Sequence, residues 1–400
     1  MLDRLQQQPD DPIIELLMKA KADTSPNVVD LSAGVFKDEE GNTPILDAVR
    51  EAEPRRLQSE NTRTYQGIIG DARYNELITK LILGEDCAAV TEGRVSTLHT
   101  VAGSAAVLLA GQLIRRASNE AVVWAGRPTW ANHFPLLKTA GIDVLEFPYY
   151  DHSTNSLMFD EMMDALGRLP KDSVVLLHGC CHNPSGADLS RDQWDELAEL
   201  IVNRGLVPFV DAAYQGLGNG LEEDAYGWRL LAEKVPEMLI TYSCSKNFSL
   251  YRDRIGALIA ISRDKASAAH TRSNMMSCSR ATYSMPAAHG AFLVAEILSD
   301  KQLRQSWEAE LTTMRNRVNG MRSGFARAMA ERGFGDRFGF VADQFGMFSF
   351  LGITAEQVIQ LREKYSVYML ESSRISIAGL TSGNLDYVAD SLVSVIGDGA

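Results

Sequence analysis

A lysine follows directly after an apolar run that is typical of a buried strand. The run M-L-I-T-Y ends at Tyr242, and the stretch S-C-S-K-N-F-S-L-Y-R-D-R then places Lys246 between small hydroxyl residues. Arg254 stands at the end of this stretch, directly before a second apolar run, I-G-A-L-I-A-I. An ordinary surface lysine would more naturally lie on a polar face of a helix. Because a lysine amine can form a Schiff base with a carbonyl compound, Lys246 is a candidate for covalent chemistry.

Two other apolar runs also end in polar residues. Asp211 closes the run P-F-V-D, and Tyr214 stands close enough in the chain to reach the same pocket. A carboxylate at a buried strand end needs a partner, since burying it unpaired is costly, and a structural salt bridge is one way to meet that need. Asn183 follows the run S-V-V-L-L-H in an N-P-S-G turn, where it could serve chemistry or simply cap the turn.

A third group of residues is suited to a phosphate. Gly103 and Ser104 follow the run V-S-T-L-H-T-V at the expected start of a helix, where free N–H groups attract anions, although small residues also cap helices for structural reasons. Ser243, Ser245 and Arg254 add donors. A lysine, a buried acid and a phosphate-ready helix start are the parts of a pyridoxal phosphate site, in which the acid partners the pyridine nitrogen.

The elements that must position these residues alternate along the chain. From residue 96 to 261, short Val/Ile/Leu runs are separated by helical patterns. This alternation predicts an α/β fold whose sheet is largely parallel and covered by helices on both faces. In such sheets ligands bind beyond the carboxyl ends of the strands, which is where the candidate residues stand.

The second half of the chain predicts a smaller α+β domain. An apolar stripe at spacings of three and four predicts one long helix that packs against the core: Trp307, Leu311, Met314, Val318, Met321, Phe325 and Met329. The predicted division is an N-terminal arm with part of the small domain (1–43), a large cofactor-binding domain (44–312) and a small C-terminal domain (313–400).

Charge and composition exclude several classes of partner. The 39 basic and 52 acidic residues give a net charge of −13, which disfavours a nucleic-acid or anionic membrane surface. No apolar run approaches the ~20 residues of a membrane span, and the start of the chain lacks the apolar core of a signal peptide. Five cysteines without a disulfide framework suit a reducing cytoplasm, so we expect a cytoplasmic protein.

Two other ligand classes are weighed and set aside. The motif H-G-C-C-H contains His178, Cys180, Cys181 and His182, but neighbouring residues at a strand end point to opposite faces and no second cysteine pair exists, so no metal site is expected. The sequence G-L-G-N-G after Asp211 lacks the spacing of a dinucleotide loop, which disfavours a nicotinamide-dependent oxidoreductase.

Four motifs in order resemble class I aminotransferases of the aspartate/aromatic subgroup: H-G-C-C-H-N-P-S-G, D-A-A-Y-Q-G, S-x-S-K-N-F-S-L-Y-R-D-R-I-G and Y-S-M-P-A-A-H-G-A. The resemblance extends from D-P-I-I-E-L near Asp11 to S-R-I-S-I-A-G-L near Arg374. It implies a fold-type I pyridoxal-phosphate-dependent transferase. It further implies a homodimer with shared active sites that acts on small-molecule substrates, namely amino acids and 2-oxo acids.

The resemblance also implies roles for individual cofactor-binding residues. Lys246 would hold pyridoxal 5'-phosphate as a Schiff base and then shuttle the substrate proton, while Asp211 would pair with the pyridine nitrogen. Asn183 and Tyr214 would hydrogen-bond the ring oxygen, and Trp130 would stack on the ring. The phosphate would be held by Gly103, Ser104, Ser243, Ser245 and Arg254, joined by Tyr65 from a second subunit.

Five residues would contact the substrate itself. Arg374 would clamp the α-carboxylate with Gly34 close by, and Arg280 of the neighbouring subunit would meet a side-chain carboxylate. Arginine suits both tasks because its donors form a bidentate fork. Trp130 and Asn183 would also contact the substrate.

Departures from the family pattern bear on specificity. Ala102 replaces a glycine at the phosphate loop, and Met285 replaces a small polar residue. Ala33 replaces a bulkier aliphatic residue and enlarges the substrate pocket, while Ser104 is the form associated with the aromatic-active branch. We therefore expect ping-pong transfer of the amino group from tyrosine, phenylalanine and dicarboxylic amino acids to 2-oxoglutarate. The alternatives are an aspartate aminotransferase with little aromatic activity and a cofactor-binding regulatory protein without catalysis, which the intact Lys246 disfavours.

Overall fold

A computed structural model of the chain describes residues 1–7 and 10–397. Its largest element is a seven-stranded sheet in which one strand runs antiparallel to both of its neighbours and the others are parallel. The strands of the described residues are β1 Val29–Asp30, β2 Val95–Val101, β3 Val122–Arg127, β4 Asp143–Pro148, β5 Tyr150–Asp151, β6 Ser156–Leu157, β7 Val174–His178, β8 Val207–Ala212, β9 Met238–Ser243, β10 Ile255–Ile261, β11 Phe348–Phe350, β12 Val367–Tyr368 and β13 Arg374–Ser376.

Helices surround the sheet and form most of the rest of the chain. The α-helices are α1 Pro12–Ala22, α2 Asp47–Ser59, α3 Ala72–Leu83, α4 Ala88–Thr91, α5 Ala102–Ala117, α6 His133–Thr139, α7 Phe159–Leu166, α8 Arg191–Arg204, α9 Tyr226–Lys234, α10 Lys265–Thr282, α11 His289–Ser299, α12 Lys301–Glu331, α13 Gly335–Phe338, α14 Ala355–Tyr365 and α15 Leu385–Gly397. Short 3₁₀ helices cover Leu2–Arg4, Gly339–Asp343 and Ile377–Gly379. No helix in the described part of the chain is long and apolar enough to cross a membrane.

The large sheet is covered on both faces, as the continuous apolar runs predict. Its strand order is β2-β10-β9-β8-β7-β3-β4. Along β7, Val175 and Leu177 belong to one apolar cluster, while Val174 and Leu176 belong to the cluster on the opposite face. Because side chains alternate along a strand, two clusters at alternate positions require cover on both sides. The α/β prediction is confirmed.

The antiparallel strand, β10, is the member of the sheet that the sequence did not distinguish. It pairs with β2 on one side and β9 on the other, with Gly256 opposite Ser243 and Ile255 opposite Val101. Since β9 and β10 run in opposite directions, the stretch between them turns back at the edge of the sheet where the parallel strands end. The Lys246 stretch therefore forms this turn.

The long apolar stripe forms one face of α12, a helix of 31 residues. Asp300 caps its start by accepting from the backbone N–H groups of Gln302 and Leu303. The helix runs across residue 312, so the predicted domain boundary falls inside a continuous element. At the N-terminal side, β1 pairs in parallel with β12. The division into domains remains a prediction.

Candidate active site

A cavity of about 170 Å³ lies at the carboxyl ends of β7, β8 and β9, beside the start of α5. The predicted residues that line it are Gly103, Ser104, Trp130, Asn183, Asp211, Tyr214, Ser243, Ser245, Lys246 and Arg254. Ala102, Asn132, His178 and Ala213 complete its wall. Most of the residues that the sequence predicted for the site therefore lie in one cavity.

The corner between α5 and β10 is the part of this cavity suited to a phosphate. Ala102 and Arg254 both have left-handed backbone conformations, with φ of 60° and 57°, and the Ala102 N–H donates to the Arg254 carbonyl at 2.9 Å. A Cβ on Gly103 would lie 3.1 Å from the Ser243 side chain, so glycine permits this close approach. The Arg254 guanidinium donates to the Ser104 hydroxyl at 3.4 Å, at the positive end of a 16-residue helix.

Ala102 carries a conformational cost at this corner. A positive φ suits glycine, because the Cβ of other residues crowds the backbone there. The family pattern that the sequence resembles has a glycine here, whereas Ala102 adopts φ 60° at the start of α5 with a Cβ present.

Lys246 stands in the turn after β9 and is held from behind by α12. The Trp307 indole N–H donates to the Asn247 carbonyl at 2.7 Å, and its ring stacks on Phe248 at 4.4 Å. The Lys246 amine lies 5.0 Å from the centre of the Tyr214 ring. Burial lowers the pKa of this amine to about 8, although the Asp211 carboxylate opposes the shift. The amine can therefore lose its proton near neutral pH, as a nucleophile or general base must.

Asp211 is buried at the end of β8 and is held by two hydrogen bonds. Its carboxylate lies 3.2 Å from His133 Nε2 and accepts from the Thr241 hydroxyl at 3.1 Å. Burial alone would raise the pKa of Asp211, but the contact with His133 outweighs it and holds the pKa below its usual value. A permanently ionised carboxylate in this position suits a protonated ring nitrogen.

Behind Asp211 the hydrogen bonds continue through residues that the sequence analysis did not assign. Thr129 Oγ1 lies 2.8 Å from His133 Nδ1 and 3.0 Å from His178 Nε2. Burial lowers the pKa of His178 to about 3, so its ring is neutral. With the His178 ring neutral, its Nε2–H can donate to the Thr129 hydroxyl, which can donate to His133 Nδ1, and His133 Nε2–H can donate to Asp211. Thr129 and His133 belong to the motif P-T-W-A-N-H, which follows β3, and His178 ends β7.

Arg374 lies at the start of β13, next to the cavity. It is buried, its Nη2 donates to the Ser32 carbonyl at 2.8 Å, and its Nε has no hydrogen-bond partner in the described part of the chain. Burial lowers the pKa of this guanidinium, and the neighbouring Tyr214 partly offsets the shift. A buried cation with a free donor is suited to an anionic ligand. Gly34 lies near the same ring: a Cβ on it would lie 2.5 Å from Phe348 Cζ, and the Arg374 guanidinium carbon lies 4.3 Å from the centre of that ring.

Tyr65 and Arg280 do not line the cavity of the single chain. The Tyr65 side chain is 93% exposed in a segment without regular structure. Arg280 is exposed in the last turn of α10, where it donates to the Ser284 hydroxyl. Their roles at a site of a neighbouring subunit stay predictions.

The cysteine motif has a geometry different from the one expected. The ligand atoms of Cys180, Cys181 and Asp224 lie within 4.8 Å of one another, because Cys181 has a left-handed backbone, with φ 51°, that turns neighbouring side chains to one side. The Asp224 carboxylate already accepts from backbone N–H groups, including those of Gly216 and Gly218 at 2.8 and 3.0 Å. It therefore serves to fix the loop after β8.

The residues present fit pyridoxal phosphate. The cavity holds a lysine amine, a buried carboxylate and a helix start with hydroxyl and guanidinium donors, and the Asn183 side-chain oxygen is buried without a partner. A dianionic phosphate, a ring nitrogen and an aldehyde would each find a group of matching chemistry. The Arg374 donor beside the cavity adds a place for a carboxylate.

Known proteins with a similar sequence and fold are aminotransferases. The chain is 41% identical to an aspartate aminotransferase of Haemophilus influenzae and 42% identical to an aromatic-amino-acid aminotransferase of Paracoccus denitrificans, each over 99% of this chain and 100% of the relative. Its fold matches the crystal structure of an aromatic-amino-acid aminotransferase from Burkholderia pseudomallei, covalently bound to pyridoxal phosphate. That match has a TM-score of 0.96 and 39% identity and covers 99% of both chains. Residues 26–392 match the model of class I and II aminotransferases, and this protein therefore belongs to that family.

Proposed function

We propose that the chain is a pyridoxal-phosphate-dependent aminotransferase that moves the amino group of aromatic and dicarboxylic amino acids to 2-oxoglutarate. It would act as a homodimer in the cytoplasm. The observation that carries the proposal is the shared cavity of Lys246 and Asp211, in which the amine has a pKa of about 8 and the carboxylate is held ionised. The free donor of Arg374 lies beside it.

Each residue has a task that follows from its position. Pyridoxal phosphate, when bound, supplies the aldehyde that takes up the amino group and a ring that stabilises negative charge. Lys246 would hold the cofactor, and its freed amine would take up the proton that leaves the substrate Cα. Asp211 keeps the proton on the ring nitrogen, and the His133 contact keeps Asp211 ionised. Arg374 orients the substrate by its α-carboxylate.

The proposed substrates fall into two classes by their side chains, dicarboxylic and aromatic. Arg280 from a second subunit would pair with the side-chain carboxylate of aspartate, glutamate or their 2-oxo acids. Ala33 and Ser104 would leave room for the ring of tyrosine or phenylalanine. An aromatic ring cannot pair with Arg280, so that arginine would turn toward solvent when such a substrate binds.

A panel of amino donors tests the proposal directly. The purified protein, loaded with pyridoxal phosphate, is assayed with phenylalanine, tyrosine and aspartate against 2-oxoglutarate, and with glutamate against a second 2-oxo acid. We expect all four donors to be accepted, with tyrosine and phenylalanine as good donors. A protein that uses aspartate and has almost no activity with phenylalanine would instead be a plain aspartate aminotransferase.

The Arg280→Ala variant should separate the two substrate classes. Its kcat/KM for aspartate should fall by about 10²-fold or more, because truncating one partner of a buried charge pair costs about 2–5 kcal/mol. Its kcat/KM for phenylalanine should stay close to the wild-type value. Arg272→Ala, an exposed arginine on the same helix α10, is the matched control and should change neither.

The Ala33→Ile variant should have the opposite selectivity. It should lower kcat/KM for phenylalanine by about tenfold, since small volume changes in an apolar pocket are worth ~1–3 kcal/mol of discrimination. Aspartate turnover should be little changed. Equal losses for both donors in Arg280→Ala would contradict the assignment of Arg280 to the side-chain carboxylate.

Hybrid dimers test whether the sites are shared between subunits. Lys246→Ala and Arg280→Ala chains are each inactive toward aspartate, but a mixed dimer would contain one site with both native residues. After dissociation and random reassociation, roughly a quarter of the wild-type aspartate activity should return, since half of the dimers would be mixed and each would have one intact site. Each variant reassociated with itself is the control. No recovery despite mixed dimers, or a monomer by light scattering, would refute the shared site.

A further inference from the structure

Phe348 contacts three of the candidate residues at once. Its ring centre lies 4.3 Å from the Arg374 guanidinium carbon and 6.3 Å from the Tyr214 ring, at an interplanar angle of 85°. A Cβ on Gly34 would lie 2.5 Å from Phe348 Cζ. Phe348 is 3% exposed. Gly34 is therefore in direct contact with the ring on which the Arg374 guanidinium lies.

The Arg374 guanidinium has few other contacts that could fix its orientation. Its one hydrogen bond in the described part of the chain goes from Nη2 to the Ser32 carbonyl, and its Nε is left without a partner. A cation over the face of an aromatic ring is attracted by the ring quadrupole, most strongly where water is excluded. The face of Phe348 is thus the principal surface on which this guanidinium rests.

Phe348 is held in turn by a second buried arginine, Arg322 of α12. Its Nη2 donates to the carbonyl oxygens of Phe348 at 2.6 Å and Gly346 at 2.8 Å, and its Nη1 donates to the Ser349 hydroxyl at 2.7 Å. Arg322 is 1% exposed. A buried guanidinium whose donors all point at one short segment fixes the backbone of that segment.

We propose that Phe348 is a positioning residue for the reaction, which sets the orientation of Arg374 toward the substrate α-carboxylate, and that Arg322 fixes Phe348 in place. The proposal rests on the proposed function and adds a residue to it. Every amino acid and 2-oxo acid substrate has an α-carboxylate. Loss of the Phe348 contact must therefore weaken the binding of amino donors and 2-oxo acid acceptors by the same factor, whatever their side chains.

The Phe348→Leu variant tests this support, because leucine keeps an apolar side chain but removes the ring face. We expect KM for phenylalanine, aspartate and 2-oxoglutarate to rise together by about tenfold, the equivalent of about 1.4 kcal/mol. The visible absorption and dissociation constant of pyridoxal phosphate should stay unchanged. Phe350→Leu is the matched control: Phe350 is a buried phenylalanine in the same strand, but it contacts Tyr150 and His152. It should leave all three KM values near wild type.

A binding measurement keeps this test independent of turnover. 3-Phenylpropanoate has the carboxylate and ring of phenylalanine without the amino group, and its affinity for the cofactor-loaded protein can be measured by calorimetry. Phe348→Leu should weaken it about tenfold and Phe350→Leu should not. If Phe348→Leu does not fold, Phe348→Met also removes the ring face while keeping a flexible apolar side chain, and it should weaken the probe likewise.

The outcomes separate the two proposals. A wild-type protein that binds the probe but transfers no amino group would refute the proposed function and leave the Phe348 support open to the same calorimetric comparison. An active wild type with unchanged probe affinity in Phe348→Leu would overturn the positioning role. Unequal changes for amino acids and 2-oxo acids would also overturn it, because a shared carboxylate contact cannot distinguish them.

Discussion

Replacing Lys246 with alanine is expected to lower amino-group transfer by on the order of 10⁴-fold. The substitution removes both the amine that holds the cofactor and the base that moves the substrate proton. Among the residues that the structure describes, Lys246 is the lysine that lines this cavity, so no second lysine there can take over. Single-turnover measurements with phenylalanine, followed by the cofactor's visible absorption, would give the rate of the chemical step.

The Lys246→Arg variant is the control for charge. It keeps a cation beside Asp211 but lacks an amine with a pKa near 8, so it should be as inactive as the alanine variant. Borohydride reduction of the wild-type holoenzyme followed by peptide mass mapping should place the cofactor on Lys246. Label on any other lysine would show that the assignment is wrong.

Replacing Asp211 with asparagine is expected to have the next largest effect, a loss of about 10²- to 10³-fold in turnover. Removing one preorganised electrostatic partner of a reacting group has a cost of this size. Asparagine keeps the shape of aspartate: its amide oxygen can accept from the Thr241 hydroxyl, 3.1 Å from the native carboxylate, and its NH2 group can donate to His133 Nε2, 3.2 Å away, in the other tautomer of that ring. The fold should therefore survive while the charge is lost. Turnover measured at saturating cofactor isolates this effect from weaker cofactor binding.

The Asp224→Asn variant is the matched control for Asp211. Asp224 is another buried carboxylate near the ends of the strands, but its partners are backbone N–H groups of the loop after β8. It should lower thermal stability more than turnover per folded molecule. If folded Asp211→Asn had nearly normal activity, Asp211 would be a structural partner of His133 and no more.

The cavity residues could be predicted from the sequence because each strand shows as a local apolar run, and the carboxyl ends of the strands meet at one edge of the sheet. Lys246, Asp211 and Asn183 each follow a short apolar run, and strands of a parallel sheet bring such ends to one edge. The orientation of β10 could not be predicted, because an apolar strand has the same pattern in either direction. That orientation returns Arg254 to the start of α5, where its carbonyl accepts from Ala102.

Supporting contacts between distant parts of the chain were beyond prediction. Phe348 looks like an ordinary core residue, and its contact with Gly34 joins segments more than 300 residues apart. Arg322 lies on the long helix between Met321 and Ser323, with nothing in the sequence to show that it is 1% exposed. The Thr129–His133–Asp211 chain of hydrogen bonds likewise depends on how α6 packs beside β8.

The long helix α12 sets the distance between two parts of the site. Trp307 holds the Lys246 turn, and Arg322 holds Phe348 beneath Arg374. These anchors are 15 residues apart, about 22 Å along the helix, and a single inserted or deleted residue would turn one anchor by about 100° relative to the other. A change in the length of the stretch from 308 to 321 would therefore shift Lys246 relative to Arg374, which would bind the carboxylate. Divergence among homologues must proceed there by substitution alone, whereas surface loops are free to grow or shrink.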